Sequence, residues 1–257
     1  PIYSLSGDSS AGYYRISVKR EDHGLVSRWL HDHIRPGSVL AAAAPRGDFY
    51  LTEDSGPVVL FSAGIGATPV LAMLHALSAA GSGRDIWWLH TTRSRETEAF
   101  AGEVAALIAS LPHARQQVFY TETQGRLSRD SVAALGLLPS ATVYLCGPTQ
   151  FMTDMRNCMT GIGFDPARIH SELFGALPAI NPGVVETGVC KTPHPPAGVP
   201  GTGPSITFAR SGLAVNWSPD YRSILDLAEA CDVPTRFSCR SGVCHVCVTG
   251  IVAGTTA

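Results

Sequence analysis

The 257-residue sequence predicts a multidomain protein: part of an antiparallel β-barrel, then an α/β domain on a parallel sheet, then part of an α+β domain. Three observations predict it. Short β-like runs broken by Gly, Asp and Pro open the chain; apolar runs alternate with helical patterns through its middle; and a Pro-rich stretch sets apart a final segment of hairpin, helix and cysteine-bearing loop.

The first block, residues 1–55, carries runs at Ile2 to Ser6, Tyr13 to Lys19 and Val39 to Ala42, with one short helix near Ser27 to His33. Fifty-five residues are too few to close a barrel, so only its C-terminal part is expected. In residues 56–175 the strands expected are Val58 to Ala63, Ile86 to His90, Gln117 to Tyr120 and Thr142 to Leu145. The helices expected between and after them are Pro69 to Ala80, Thr97 to Leu111, Ser128 to Leu135 and Thr149 to Thr160. Such alternation implies a parallel sheet with helices on both faces. Residues 176–204, with Pro193, Pro195, Pro196, Pro200 and Pro204, read as a linker. In residues 205–257, Ser205 to Arg210 and Leu213 to Trp217 flank Ser211-Gly212 as a hairpin, and a helix over Ile224 to Cys231 leads into the cysteine loop.

Two turns in the middle block point to a phosphate-bearing ligand. After the strand at Val58, the segment Ser62-Ala63-Gly64-Ile65-Gly66-Ala67-Thr68-Pro69 enters a helix, so backbone N–H groups can approach a pyrophosphate at the helix start. Pro69 suits the first helical position because its missing N–H would be unpaired there in any case. A glycine turn of this kind is also what tight strand-to-helix packing needs without any ligand. Cys146-Gly147-Pro148 delivers a second turn at the carboxyl edge of the same sheet, where open parallel sheets bind ligands.

The third block holds Cys239, Cys244 and Cys247 at C-x4-C-x2-C spacing, the run that holds a plant-type 2Fe-2S cluster. Structural zinc sites use two separated ligand pairs, and disulfide scaffolds are short and cysteine-dense; neither fits. His245, between two matched cysteines, is expected to face solvent. Cys231, on an apolar helical stripe, reads as a buried small hydrophobe. The spacing calls for a fourth thiolate downstream, and the ten residues after Cys247 contain none, so the sequence reads as clipped before its last strands.

Composition narrows the partners. A net charge of −2 and a pI near 6.5 leave no basic footprint for nucleic acid. The sequence has no run of eighteen apolar residues and no charged leader followed by an apolar stretch, so neither a membrane span nor a secretory signal is expected; unpaired cysteines then point to the cytoplasm.

Taken together, the two turns and the cysteine loop resemble the ferredoxin-NADP reductase superfamily, most closely its phthalate dioxygenase reductase type, in which flavin, nicotinamide and 2Fe-2S ferredoxin domains follow one another. The resemblance covers essentially the whole chain. It implies a β-grasp ferredoxin domain at 205–257, a nicotinamide loop at Gly64, Gly66, Thr68 and Pro69, and a Cys146-Gly147-Pro148 motif beside the nicotinamide ring, with Thr68 and Cys146 orienting that ring. The family's Arg-x-Tyr-Ser flavin motif is matched by Pro1-Ile2-Tyr3-Ser4, with Pro in the arginine's place; Tyr3 and Ser4 are the flavin residues implied, and Ser4, Thr68 and Cys146 the catalytic ones. Val18-Lys19-Arg20 resembles a flavin-contacting strand, and Gly24 to Ser27 its phosphate turn. Glu172-Leu173-Phe174-Gly175 resembles the segment that lays an aromatic ring, here Phe174, over the flavin.

The activity implied is electron transfer from NADH through a flavin to the cluster and on to a protein acceptor, an oxygenase component. A nicotinamide gives two electrons at once and a cluster accepts one, so a flavin must stand between them. Arg93 and Arg95 could pair with the 2'-phosphate of NADPH, whereas Thr121-Glu122 stands where NADPH-selective members carry Ser-Arg; the carboxylate favours NADH, with NADPH as the alternative. The domain order favours FMN over FAD. Two other readings stay open: a reductase module of a larger fused oxidoreductase, and a nucleotide-binding fragment without activity.

Overall fold

The computed structural model describes residues 3–22, 24–42, 44–45, 47–173, 192–235, 247 and 249–255. The chain forms two compact units, Pro1–Phe174 and Gly175–Ala257.

The start of the first unit forms less sheet than its β-like runs predict. Residues Leu5 and Ile16 make one isolated antiparallel bridge, with Ser6 N–H donating to the Arg15 carbonyl at 2.9 Å. The run at Val39 to Ala42 is irregular and Val39 is 95% exposed. A strand needs a neighbour to take its N–H and C=O groups, and among the described residues these runs find no partner beyond that bridge. Helix α1, Leu25–His33, begins two residues earlier than Ser27, after Gly24. Arg15 ties this block to the rest of the unit by donating to Glu103 at 2.7 Å, and His75 meets the same carboxylate at 2.5 Å.

The parallel sheet forms as expected and gains one strand. In chain order the unit runs β1 (Val58–Ala63), α2 (Ala67–Ala79), β2 (Ile86–Thr92), α3 (Ala101–Ala109), β3 (Ala114–Tyr120), α4 (Thr121–Gln124), α5 (Arg129–Ala133), β4 (Thr142–Gly147), α6 (Thr149–Gly161) and β5 (Ile169–Leu173). All pairings are parallel, in the order β3-β2-β1-β4-β5. Strands β1 and β4 are buried at every position, which is why they read as continuous apolar runs. Alternate residues split the core in two. Val58, Leu60, Trp88 and Tyr144 pack against α2 and Val104 of α3, while Val59, Phe61, Val143 and Leu145 pack against Val132 of α5 and the Met152, Met155 and Met159 stripe of α6.

The helix expected over Thr97 to Leu111 is divided. A 3-10 turn at Arg95–Thr97, closed by reciprocal Ser94 and Thr97 hydrogen bonds, precedes α3, and Phe100 between them adopts a left-handed φ of 65°. Phe100 packs on the apolar core, so tertiary packing sets this break against the residue's own preference.

In the second unit, β6 (Ser205–Phe208) and β7 (Leu213–Asn216) form the expected hairpin, with Gly212 at φ 67° supplying the left-handed turn residue. Helix α7, Ile224–Ala230, starts at Ser223, whose hydroxyl accepts from Asp226 N–H. Its Leu227 packs with fully buried Cys231 and with Val215 of β7.

Candidate functional site

Strand order reverses between β1 and β4, because β2 and β3 lie on one side and β5 on the other. In open α/β sheets such a switch point opens a crevice at the carboxyl edge. Both glycine turns sit there and they interlock. A Cβ on Gly66 would lie 2.3 Å from the Cys146 carbonyl oxygen and 2.8 Å from Gly147 N. One on Gly147 would lie 2.8 Å from Phe151 Cδ1 and 2.9 Å from Ala63 Cβ. Only glycine allows the two backbones this close, so the turn after β1 rests directly on the end of β4.

The turn is a 3-10 segment, Gly64–Gly66, running straight into α2. The helix starts two residues before Pro69, which leaves Pro69 in the first turn, where its lack of an N–H costs nothing. Gly64 takes φ 53°. Thr68, 2% exposed, donates its hydroxyl to the Ile65 carbonyl at 3.1 Å and so closes the turn on itself. Glycine at 66 is thus what packing of the turn on β4 requires, while Gly64, exposed and with open space where a Cβ would stand, is the face of the turn that a phosphate could approach.

Beside it, register partners carry polar side chains across four strands: His90 of β2 pairs with Ser62 of β1, Ser62 with Cys146 of β4, and Cys146 with Glu172 of β5. Cys146 is fully buried and its Sγ–H donates to the Glu172 carbonyl at 3.4 Å. Burial, with the Glu172 charge, raises its pKa well above the ordinary thiol value, so it stays a neutral thiol. Burial also raises Glu172, against the lowering effect of Ser4, whose hydroxyl donates to Glu172 Oε2 at 3.0 Å. Ser4 and Glu172 line a cavity of about 360 Å³ whose other walls include Phe49, Leu51 and Pro69. Partial burial pushes neighbouring Tyr3 up. A carboxyl with its pKa raised by burial and a hydroxyl thus line this cavity, with the Cys146 thiol buried behind them on the Glu172 backbone.

The other expected flavin residues lie on the segment that follows the Leu5–Ile16 bridge. Gly24 caps α1, and Ser27 is buried beneath it, donating to the Gly24 carbonyl at 3.3 Å. The Val18 carbonyl meets His31 Nε2 at 2.7 Å, and exposed Lys19 pairs with Glu21 at 2.8 Å. Arg93 is exposed after β2, and its carbonyl accepts from Glu122 N–H at 3.1 Å, which brings together the two segments expected to bear on the choice of nicotinamide. Pro148 is exposed at the start of α6. Phe174, Cys239, Cys244 and His245 lie outside the described residues, and Cys247 is half-buried. Glu172 is the acid that sequence reasoning passed over. Its strand, IHSEL, shows no clean alternation of polar and apolar residues, and pairing with β4 is what delivers Glu172 to the sheet edge.

Comparisons with known proteins agree with this geometry. The oxidoreductase NAD-binding domain family matches residues 60–157, and the 2Fe-2S iron-sulfur cluster binding domain family matches residues 206–256. A flavohemoprotein of Deinococcus radiodurans is 40% identical over 194 residues, covering 70% of this chain and 48% of that protein, so the chain spans about half the length of the curated relatives it matches. The structure of the flavohem-like FAD/NAD binding domain of nitric oxide dioxygenase from Vibrio cholerae is 40% identical, with a TM-score of 0.63, over 67% of this chain and 76% of that one. Phthalate dioxygenase reductase, described as a modular structure for electron transfer from pyridine nucleotides to [2Fe-2S], covers 95% of this chain and 70% of its own at 28% identity and a TM-score of 0.61.

Proposed function

Because the chain belongs to the ferredoxin-NADP reductase superfamily and joins an NAD-binding oxidoreductase domain to a 2Fe-2S domain, we propose that it carries electrons from NADH through a flavin to its 2Fe-2S cluster and on to an oxygenase component. The observation that carries this reading is the meeting of the Gly64–Gly66 turn with the Cys146, Glu172 and Ser4 group at one sheet edge.

The candidate dinucleotide residues lie among the described residues, and those for the flavin and the cluster are the ones the resemblance implies. The Gly64–Gly66 turn and the start of α2 would hold the dinucleotide pyrophosphate, since exposed Gly64 leaves open space beside the helix start. Thr68 keeps that turn closed, and Cys146 with Glu172 would orient the nicotinamide ring. Tyr3, Ser4, Val18, Lys19, Gly24, Ser27 and Phe174 would hold the flavin, FMN by domain order, while the Vibrio relative is described with FAD. Cys239, Cys244 and Cys247 would be the iron ligands. When bound, the nicotinamide and flavin would supply hydride chemistry and the cluster one-electron chemistry. The chain's own task is positioning, and the hydride needs no protein base. Glu122 beside Arg93 would set the preference for NADH.

A second reading, a reductase module of a larger fused oxidoreductase, is supported by the curated flavohemoproteins, in which the matched part is about half the polypeptide.

An anaerobic ultraviolet-visible titration of the purified, cofactor-reconstituted chain tests the proposal. Bleaching of flavin by NADH at lower concentration than by NADPH, followed by loss of the cluster bands, is the result expected. A reconstituted protein that remains colourless would leave only a nucleotide-binding fragment.

A further inference from the structure

The short run Ser4 to Ser6, which follows Tyr3, is held to the α/β part of the unit at both ends. At one end the Ser4 hydroxyl donates to Glu172 Oε2 of β5 at 3.0 Å. At the other, the carbonyl of fully buried Ser6 accepts from Arg15 Nη2, and the same nitrogen donates to Glu103 Oε1 of α3 at 2.7 Å. His75 Nε2 of α2 meets that oxygen as well, at 2.5 Å. Nη2 carries two hydrogens, so one guanidinium nitrogen joins the run to α3 and, through Glu103, to α2. The backbone makes the same tie: Ser6 N–H donates to the Arg15 carbonyl at 2.9 Å, and Ser6 Oγ meets Ser17 Oγ at 2.8 Å. Gly7 keeps the path of the Arg15 side chain clear, because a Cβ there would stand 3.0 Å from Arg15 Cβ and 3.4 Å from its Nε.

Ser4 and Leu5 also line the cavity of about 360 Å³, which α2 lines with Pro69, Ala72, Met73 and Ala76. Those four stand at the spacing of one helical face, and His75, three residues after Ala72, flanks it. Ala72 and Ala76 carry only a methyl group, which leaves the space open. Ser4, a flavin residue of the reading above, and Pro69, a nicotinamide residue, thus share one cavity, and the separation across it depends on how the run is held to the helices. Arg15 and Glu103 make the tie at the Ser6 end, charge-assisted and so stronger than a neutral one.

We propose that Arg15, held by Glu103, is a positioning residue for the proposed hydride transfer: it fixes the separation between the Ser4–Ser6 run and the α2 face, and with it the spacing at which flavin and nicotinamide would meet. The inference rests on the flavin and dinucleotide reading above and deepens it. Arg15 acts through the Ser6 carbonyl, not by contact with a ring. A misplacement of about 1 Å at a reacting centre slows the reaction by about 100-fold, whereas the loss of a partly exposed ion pair costs little stability, so the two effects separate.

Arg15→Met, Glu103→Ala and the double variant test this. In the full chain without cofactors, amide hydrogen exchange at Ser6 is expected to quicken by about tenfold in each variant, with β1 and β4 unchanged. In the chain reconstituted with flavin, stopped-flow reduction at saturating NADH is expected to slow by about 10- to 100-fold, while the NADH dissociation constant stays within about threefold of wild type. The double variant should be no slower than Arg15→Met, because Glu103 acts through Arg15. Faster exchange at Ser6 with an unchanged rate of reduction overturns the inference and leaves the dinucleotide site intact. Folded wild type that binds no NADH, or whose flavin NADH does not reduce, overturns the underlying reading and the inference with it. A measurement on wild type decides the matter if the variants do not fold. With 15N-labelled arginine, the Arg15 Nη groups, held by Ser6 and Glu103, are expected to give separate resonances; one averaged signal would mean a freely turning guanidinium and overturns the proposal.

Discussion

At the scale of single residues, the site depends on groups whose chemistry is set by burial. Gly66 has no room for a methyl group, because its Cβ would meet Cys146 backbone at 2.3 Å. Gly66→Ala is expected to cost about 1–3 kcal/mol in stability and to weaken ADP-ribose binding, read by denaturant melts and calorimetry; unchanged values in both would show that the turn does not press on β4. Cys146 should resist alkylation by iodoacetamide at pH 8 while the protein is folded, because desolvation holds its pKa well above the ordinary thiol range. Peptide mapping that finds Cys146 labelled as fast as in urea would contradict this. His90 makes stability depend on pH. Its folded value of about 4 lies below the ordinary 6.5, so the unfolded chain takes up a proton first as pH falls. Its contribution is whole above pH 6.5 and is lost toward pH 4, by about 3 kcal/mol in total. Glu172, raised by burial, acts in the opposite sense, its protonation favouring the folded chain as pH falls. Comparing denaturant melts of wild type and His90→Gln between pH 7 and pH 4 isolates the histidine: the variant's curve should be flatter.

At the scale of elements, hydrophobic pattern and turn chemistry made most of the first unit's sheet legible. Continuous apolar runs marked β1 and β4, and Ser211-Gly212 marked a hairpin turn. Strand β5 was missed because its sequence, IHSEL, mixes polar and apolar residues in the manner of an edge strand, and its identity depends on pairing with β4. The β-like runs before Ser55 show the converse: suitable composition gives little regular structure without a partner. What fastens the connection into the sheet is Tyr144, fully buried in β4, whose hydroxyl accepts from Thr52 N–H at 2.8 Å and meets Thr52 Oγ1 at 2.9 Å. Tyr144→Phe removes that acceptor and is expected to lower stability by about 1–3 kcal/mol, with faster hydrogen exchange at Thr52. Exchange at Thr52 no faster than in wild type would show that the hydroxyl does not anchor this segment.

At the scale of the whole molecule, the chain reads as a modular electron path, with dinucleotide chemistry in the first unit and the cluster loop in the second. Changing Cys239, Cys244 or Cys247 to Ser is expected to abolish iron-sulfur absorbance while NADH-to-dye activity through the flavin remains largely intact. Loss of both together would argue against independent modules. Among the described residues no helix is long and apolar enough to cross a membrane. The sequence by itself determined the order of the blocks, the two glycine turns, the cysteine spacing and the superfamily, because each is written in local pattern: periodicity, positive-φ turns and ligand spacing lie within a few residues of one another. Only the tertiary structure decided that β5 exists, that Gly66 lies against Cys146, and that His90, Ser62, Cys146 and Glu172 form one row with Ser4 at its end. Those residues are up to 168 positions apart in the chain, and parallel pairing sets them side by side through register, a property of strands packed together that no single stretch of sequence contains.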